Sequence, residues 1–275
     1  MNTLQAIFLA FVQGVTELFP ISSLAHAVIL PKLLGWTNVD ENSDGFLPFL
    51  VVMHLGTAVA LIAYFWRDWW DFATAVLLRR GSKAEAERRI FWRVVVATIP
   101  AVVVGFFLEK ELRRAFGAPT LVAGVLIANG VMLFAAERLQ GRRERSLARL
   151  RWLDAVVIGL WQCLALVPGF SRSGATMAGG YLAGLDHEDA ARFSFLTAAP
   201  VILGAAVLET PKLLHAHGHF GGVAILAGVT AGVVALISTA LLMRWFRQPE
   251  VRGFDPFAIY CVLAGAGSLV WFLVR

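Results

Sequence analysis

Six apolar runs, residues 46–66, 91–108, 120–137, 190–209, 221–243 and 254–274, limit what this chain can fold into more than any other feature. A helix needs about 20 mainly apolar residues to cross a bilayer core, and each run comes close to that length. A water-soluble globule needs a polar coat that 58% hydrophobic and 16% charged residues, at a mean hydropathy of +0.70, do not supply. The expected fold is therefore all-α and polytopic, with membrane lipids as the solvent for most of its surface.

Two further apolar stretches, 4–34 and 152–185, are interrupted by Pro, Gly and Ser. Irregular backbone at membrane depth survives where protein buries it or a wet cavity lines it, so such breaks tend to mark sites. Each stretch reads as a re-entrant helical hairpin, the plainer alternative being a kinked ordinary helix. The first basic residue is Lys32, so no charged segment precedes the first apolar run, which reads as structural rather than as a signal peptide. Cys163 and Cys261 lie in apolar segments without metal-type spacing and read as core thiols.

A shift of 149 residues lays Gln162 on Gln13 and Ser171 on Ser22, with Ala155-Val156-Val157-Ile158 falling on Ala6-Ile7-Phe8-Leu9. The chain then divides, within one membrane domain, into repeat 1 (1–137), a basic linker (138–151) and repeat 2 (152–275). Each repeat holds one hairpin and three transmembrane helices, and an odd number of crossings makes the two repeats inverted in topology. Architectures of this kind place their site near the midplane, where broken helices from the two halves meet.

Seventeen of the 24 Lys and Arg residues fall on one side of this topology, in or beside the loops around 67–93, 138–151, 192 and 244–252. The positive-inside rule makes those loops cytoplasmic and leaves both termini and the acidic 40–44 loop outside. The net charge of +5 and the pI near 9.7 follow from the same loops. Anionic inner-leaflet lipid accounts for them, and no nucleic-acid partner is needed.

Polar residues concentrate in the hairpins. The first carries Gln13, Glu17, Ser22, Ser23 and His26 in an apolar setting where unpartnered polar groups are costly. Gln13 and Glu17 are four apart, Ser23 and His26 three apart, so on helices each pair shares a face. The second carries Pro168-Gly169-Phe170-Ser171-Arg172-Ser173-Gly174-Ala175-Thr176, a lone Arg among hydroxyls and glycines. A guanidinium fork beside a Ser-rich helix start suits an anion, phosphate above all.

Plainer readings stand beside these. Arg172 could serve only as an ion-pair partner of Glu17, and Ser22 and Ser171 only as helix caps. His54 has no partner evident in the sequence and reads as structural, while His215, His217 and His219 read as an incidental run in an outer loop. Gly180/Gly184 and Gly228/Gly232 are small-xxx-small pairs of the kind that bring helices close.

The segments Gln13-Gly14-x-Thr16-Glu17-x-x-Pro20-x-Ser22-Ser23-x-x-His26 and 168–176 resemble the two signatures of the undecaprenyl-diphosphate phosphatase family of the bacitracin-resistance type. The similarity continues through Phe193-Ser194-Phe195-Leu196 and Pro256-Phe257-Ala258-Ile259-Tyr260. It implies a protein of the bacterial plasma membrane that hydrolyses undecaprenyl diphosphate to the monophosphate, recycling the lipid carrier for cell-wall synthesis. By that resemblance Glu17, Ser23, His26 and Arg172 fall on catalytic positions, and a divalent cation, Mg or Ca, is implied, with Glu17 as its candidate ligand. Arg172, Ser22, Ser171, Ser173, Thr176 and Gln13 form the candidate substrate-binding set. A polyprenyl diphosphate lipid is the expected substrate, and a second copy of the chain is a candidate partner. Gln13 stands where many members have a second acidic residue, and Leu24-Ala25 replaces a small hydroxyl and a Gly before the His.

Two mechanisms fit these residues: Ser23 attacks with His26 as base, or a positioned water attacks while Ser23 holds the phosphate. The competing class is a carrier that moves polyprenyl phosphate without hydrolysis, since inverted repeats suit alternating access. A paired Ser and His beside an Arg favours chemistry.

Overall fold

The computed structural model describes residues 1–39, 46–115, 118–139, 145–215, 221–248 and 252–274. The acidic 40–44 loop, His217 and His219 lie outside the described residues, as does the side chain of His215. The helices in chain order are α1 (Thr3–Thr16), α2 (Ser23–Leu33), α3 (Phe46–Tyr64), α4 (Trp66–Leu77), α5 (Ser82–Ala115), α6 (Pro119–Leu139), α7 (Trp152–Gln162), α8 (Arg172–Leu182), α9 (His187–His215), α10 (Gly221–Phe246) and α11 (Asp255–Val274). A 3₁₀ turn, Cys163–Leu166, continues α7. Among the described residues there is no β-strand.

Every expected span is helical. α9 extends the expected 190–209 run to His187–His215, and α5 and α3 also differ in extent. α5 begins at Ser82 rather than at residue 91 and carries Arg88, Arg89 and Arg93 on its polar first turns. Ala84, Glu85, Ala86 and Glu87 favour helix intrinsically, and the Glu85–Arg89 pair one turn apart supports it. The first span stops at Tyr64, where the chain bends by 72° into α4. α4 buries Phe72 near Phe91 of α5 and leaves Trp66, Trp70 and Leu77 exposed, an arrangement suited to a membrane interface.

The hairpins are α1–α2 and α7–α8. At about 1.5 Å per residue, arms of 14 and 11 residues reach only about 21 and 16 Å, short of the ~30 Å bilayer core. Local capping sets their starts. Asn2 and Gln5 form a reciprocal capping box at α1, and Asp154 accepts from Arg151 N at 2.8 Å at α7.

Hairpin followed by three long helices occurs twice along the chain. α1 packs on α10 and α7 on α5, while α3 meets α9 and α6 meets α11. The α3–α10 contact is nearly backbone to backbone: a Cβ built on Gly56 would lie 1.9 Å from Gly228 O, and one on Gly232 2.9 Å from Gly56 O. Gly228 and Gly232 thus do what small-xxx-small pairs do in membranes. Gly180 and Gly184 do not form such a pair, because Gly184 lies beyond the end of α8 at φ +96 and Gly180 faces Leu185 and Ala190.

Ion pairs knit neighbouring elements through the basic residues: Arg192 with Asp68, Arg138 with Asp255 at 2.6 Å, Arg247 with Glu188 at 2.8 Å and Arg145 with Asp154 at 3.1 Å. Glu137 joins three elements from within the core. It accepts from Tyr181 Oη at 3.0 Å and Phe254 N at 2.9 Å, with His187 Nε2 also at 2.9 Å.

Candidate active site

The turn of the first hairpin and the start of α8 touch. Ser173 Oγ donates to Phe19 O at 3.2 Å, and a Cβ on Gly174 would meet Pro20 Cβ at 3.1 Å. Asn129 of α6, fully buried, fastens the junction: Nδ2 donates to Pro20 O and Oδ1 accepts from Ser171 N, both at 3.0 Å. Sequence reasoning passed over Asn129. The available signal was an amide side chain in an otherwise apolar span, where it needs partners to be tolerated.

Both serines at the turns act as caps. Ser171 Oγ accepts from Gly174 N at 3.1 Å and Ser22 Oγ from Ala25 N at 3.2 Å. Ser22 does so at φ 66 and ψ 97, in the left-handed region that a side chain normally avoids. Such strain persists only where surrounding structure enforces it and clusters at functional sites.

Glu17, just past the end of α1, is the hub. Its Oε1 accepts from Arg172 Nη2 at 3.0 Å. Its Oε2 accepts from Ser23 Oγ at 2.6 Å and Gln13 Nε2 at 3.1 Å, with His54 Nε2 at 3.3 Å. The ion pair that was the plainer reading of Arg172 is therefore present, yet it leaves much of the guanidinium uncommitted. Arg172 Nη1 reaches Ser194 O at 3.4 Å, and Nε has no partner among the described residues.

Glu17, Ser23, His54 and Arg172 line a cavity of about 230 Å³ together with Ser22, Ser171 and Gln162. The remaining wall is apolar: Leu24, Leu50, Val51, Ala101, Ala165, Leu166, Phe170, Val201, Ile202 and Ala205. A small polar head beside an apolar sleeve suits an amphiphilic phosphate ester.

His54 is the main addition to the expected set. Read from sequence as structural, it faces Glu17 because α3 passes the tip of α1, and its Nδ1 lies 2.8 Å from Leu50 O. A carbonyl only accepts, so Nδ1 carries a proton and Nε2 is the atom turned to the site. An ionisable residue within a span was the signal that could have marked it.

His26 is placed elsewhere. Its Nδ1 lies 2.7 Å from Ser22 O, and its Nε2 lies 2.7 Å from Tyr260 Oη on α11. By the same logic Nδ1 donates and Nε2 accepts the tyrosine proton. No hydrogen bond joins His26 to Ser23 among the described residues; His26 and Tyr260 instead line a separate apolar groove with Ile29, Leu33, Leu126 and Leu263. The expected Ser23–His26 pairing is thus replaced by Ser23–Glu17.

Three candidate binding residues support the site from behind. Ser173 holds the first hairpin, Thr176 Oγ1 donates to Arg172 O at 2.7 Å within α8, and Gln13 sits under Glu17 with its Oε1 unpaired among the described residues.

Comparison with known proteins gives a consistent picture. The sequence model of the family described as bacitracin resistance protein BacA matches residues 6–267. A protein of Acidiphilium cryptum named undecaprenyl-diphosphatase is 53% identical over 98% of this chain and 98% of its own length. One of the same name from Granulibacter bethesdensis is 51% identical over 98% of this chain and 97% of its own. Undecaprenyl-diphosphatase 2 of Chromobacterium violaceum is 42% identical over the full length of both.

Proposed function

The chain belongs to the BacA family of bacitracin resistance proteins, and from that premise we infer that the Glu17–Arg172 cavity is where it removes the terminal phosphate of undecaprenyl diphosphate. The products are undecaprenyl phosphate and inorganic phosphate. The observation that carries the reading is the convergence of Ser23 and Arg172 on one carboxylate in a cavity whose other walls are apolar.

The roles follow from the contacts. Arg172 and the positive N-terminal end of α8 bind the diphosphate oxygens and stabilise charge on the transferring group. Glu17 is the base, since it already accepts the Ser23 proton at 2.6 Å. Either Ser23 then attacks the terminal phosphorus, leaving a phosphoserine for water to hydrolyse, or Ser23 holds the phosphate while Glu17 takes the proton of an attacking water. His54 completes the set by holding the same Glu17 oxygen, Oε2, that Ser23 contacts. Leu50, Val51, Val201 and Ile202 receive the first prenyl units.

A divalent cation fits this site in one way only. Among the described residues no three His, Cys, Asp or Glu side chains converge to hold an ion, so a cage built of protein alone does not fit. Glu17, the carboxylate that lines the cavity, would hold Mg or Ca there, and Gln13, behind it, would support that carboxylate through its 3.1 Å hydrogen bond. Bound there, the ion would neutralise charge on the diphosphate.

The orientation we propose puts the basic loops in the cytoplasm of a bacterial inner membrane and both termini outside, with inverted repeats. The distribution of Lys and Arg supports it, as does the reciprocal packing of α1 on α10 and α7 on α5. The decisive assay is phosphate release from a short-chain polyprenyl diphosphate by purified protein, with and without chelator. Release that falls on chelation and returns with Mg or Ca is expected; no release under any metal condition would restore the carrier reading.

A further inference from the structure

Gln162 ends α7 and lines the cavity that holds Glu17, Ser23 and Arg172, yet no step described above uses it. It is only 2% exposed. Its Nε2 donates to Ala97 O on α5 at 3.3 Å. Because a backbone carbonyl only accepts, the amide nitrogen must face α5, and Oε1 must face the other way. That oxygen has no partner among the described residues.

An unpaired acceptor in an active-site cavity narrows what can sit beside it. The diphosphate presents anionic oxygens, which an amide oxygen repels. Arg172 Nη2 and Ser23 Oγ already donate to Glu17, and Ser171 Oγ lies 3.0 Å from Ser173 Oγ. Arg172 Nε, without a partner among the described residues, is a donor for the diphosphate oxygens. The water that hydrolysis consumes also brings hydrogen-bond donors to this cavity. We propose that Gln162 Oε1 accepts a hydrogen bond from this water and thereby aims its lone pair at the terminal phosphorus.

The inference rests on the phosphatase reading and holds for both routes. The water oxygen bonds to phosphorus, and the bond from phosphorus to the leaving oxygen breaks with its electron pair on that oxygen. The leaving oxygen is the bridging one in direct attack and Ser23 Oγ in the serine route. One water proton passes to Glu17. From there it goes to solvent in direct attack, or to Ser23 Oγ in the serine route, where the original Ser23 proton has already left to solvent. The second proton, held by Gln162 during attack, stays on inorganic phosphate. Gln162 is a positioning residue that orients the nucleophile.

A water molecule has two O–H groups, one for Glu17 and one for Gln162, whereas methanol has one. The intact enzyme should therefore prefer water over methanol as acceptor, and the preference should depend on Gln162. Gln162→Leu and Gln162→Met keep bulk and remove the acceptor, and Gln162→Glu keeps an acceptor oxygen. With farnesyl diphosphate as probe, the Leu and Met variants should lose about 10²-fold in kcat with KM unchanged, as expected for a misplaced reacting group. In added methanol their ratio of methyl phosphate to inorganic phosphate should rise above the wild-type ratio, while Gln162→Glu stays near it.

A raised KM with normal kcat would overturn the proposal in favour of substrate binding, and an unchanged partition ratio would overturn it in favour of packing. Melting temperature reports folding, and if one of the two apolar variants does not fold the other carries the measurement. The wild type separates the two levels of inference. Without phosphate release from wild type the phosphatase reading fails; with it, and with variants that partition as wild type does, only the water-positioning role fails.

Discussion

Replacing Arg172 by Lys separates the guanidinium fork from its charge. The side chain is 12% exposed and reaches in three directions, with Nη2 on Glu17 Oε1 at 3.0 Å, Nη1 near Ser194 O at 3.4 Å and Nε unpaired among the described residues. A lysine ammonium is a compact charge on a flexible stem, so it can keep the Glu17 contact but cannot also present a planar pair of donors to a phosphate. One preorganised donor aimed at developing charge is worth about 10²–10³ in rate. The expected loss in kcat is therefore about 10²-fold, or ~2.7 kcal/mol of transition-state stabilisation. Stability should change less, because Glu17 still faces a cation. Arg172→Ala, which leaves the buried carboxylate to Ser23, Gln13 and His54 alone, should cost more, up to about 3–5 kcal/mol of folding free energy. Phosphate release gives kcat and KM, and thermal melting in detergent gives the stability comparison. A folded Lys variant with near wild-type kcat would refute the reasoning and leave Arg172 as a structural ion pair.

Other outcomes follow from the same geometry. Ser23→Ala and Glu17→Gln disable one hydrogen-bonded unit, so the double variant should be scarcely slower than the worse single one, whereas Ser23→Ala and His26→Ala should multiply because His26 bonds Ser22 and Tyr260; kcat for the singles and doubles decides, and coupling of Ser23 with His26 would contradict the structure. Gly56→Ala must push α10 away from α3, since its Cβ would stand 1.9 Å from Gly228 O, and should cost about 1–3 kcal/mol as an overpacked contact, read as a lowered melting temperature. A reporter fused after Arg275 should be extracytoplasmic and one in the 138–151 loop cytoplasmic; reversed labelling would overturn the proposed orientation.

The spans were legible because lipid imposes a length and a composition on each helix separately, so local sequence suffices to find them. The departures also have local causes. α5 runs beyond its apolar core because helix-forming residues precede it, and the bend at Tyr64 lies where an apolar span gives way to Trp66, Arg67 and Asp68. Glu17, Ser23 and Arg172 could be singled out as polar residues in broken apolar segments, where burial without function is costly.

Which groups those residues meet could not be read in this way. Pro20 and Asn129 are 109 residues apart, Glu17 and Arg172 are 155 apart, and His26 and Tyr260 are 234 apart. Helical spacing placed Ser23 and His26 together, but a histidine ring turns toward whichever acceptor and donor the fold brings near, and here these are Ser22 O and Tyr260 Oη. His54 became a neighbour of Glu17 through the passage of α3 beside the first hairpin, a consequence of three-dimensional packing rather than of its own flanking residues. The sequence by itself determined that lipid surrounds the chain, where its helices break and which residue types are buried at the breaks, since these depend on the transfer energies of short segments. Tertiary structure alone decided that Ser23 gives its hydrogen bond to Glu17 rather than to His26, and that Gln162 joins the cavity wall with an oxygen that has no partner among the described residues, since hydrogen bonds act over about 3 Å and only packing brings distant segments that close.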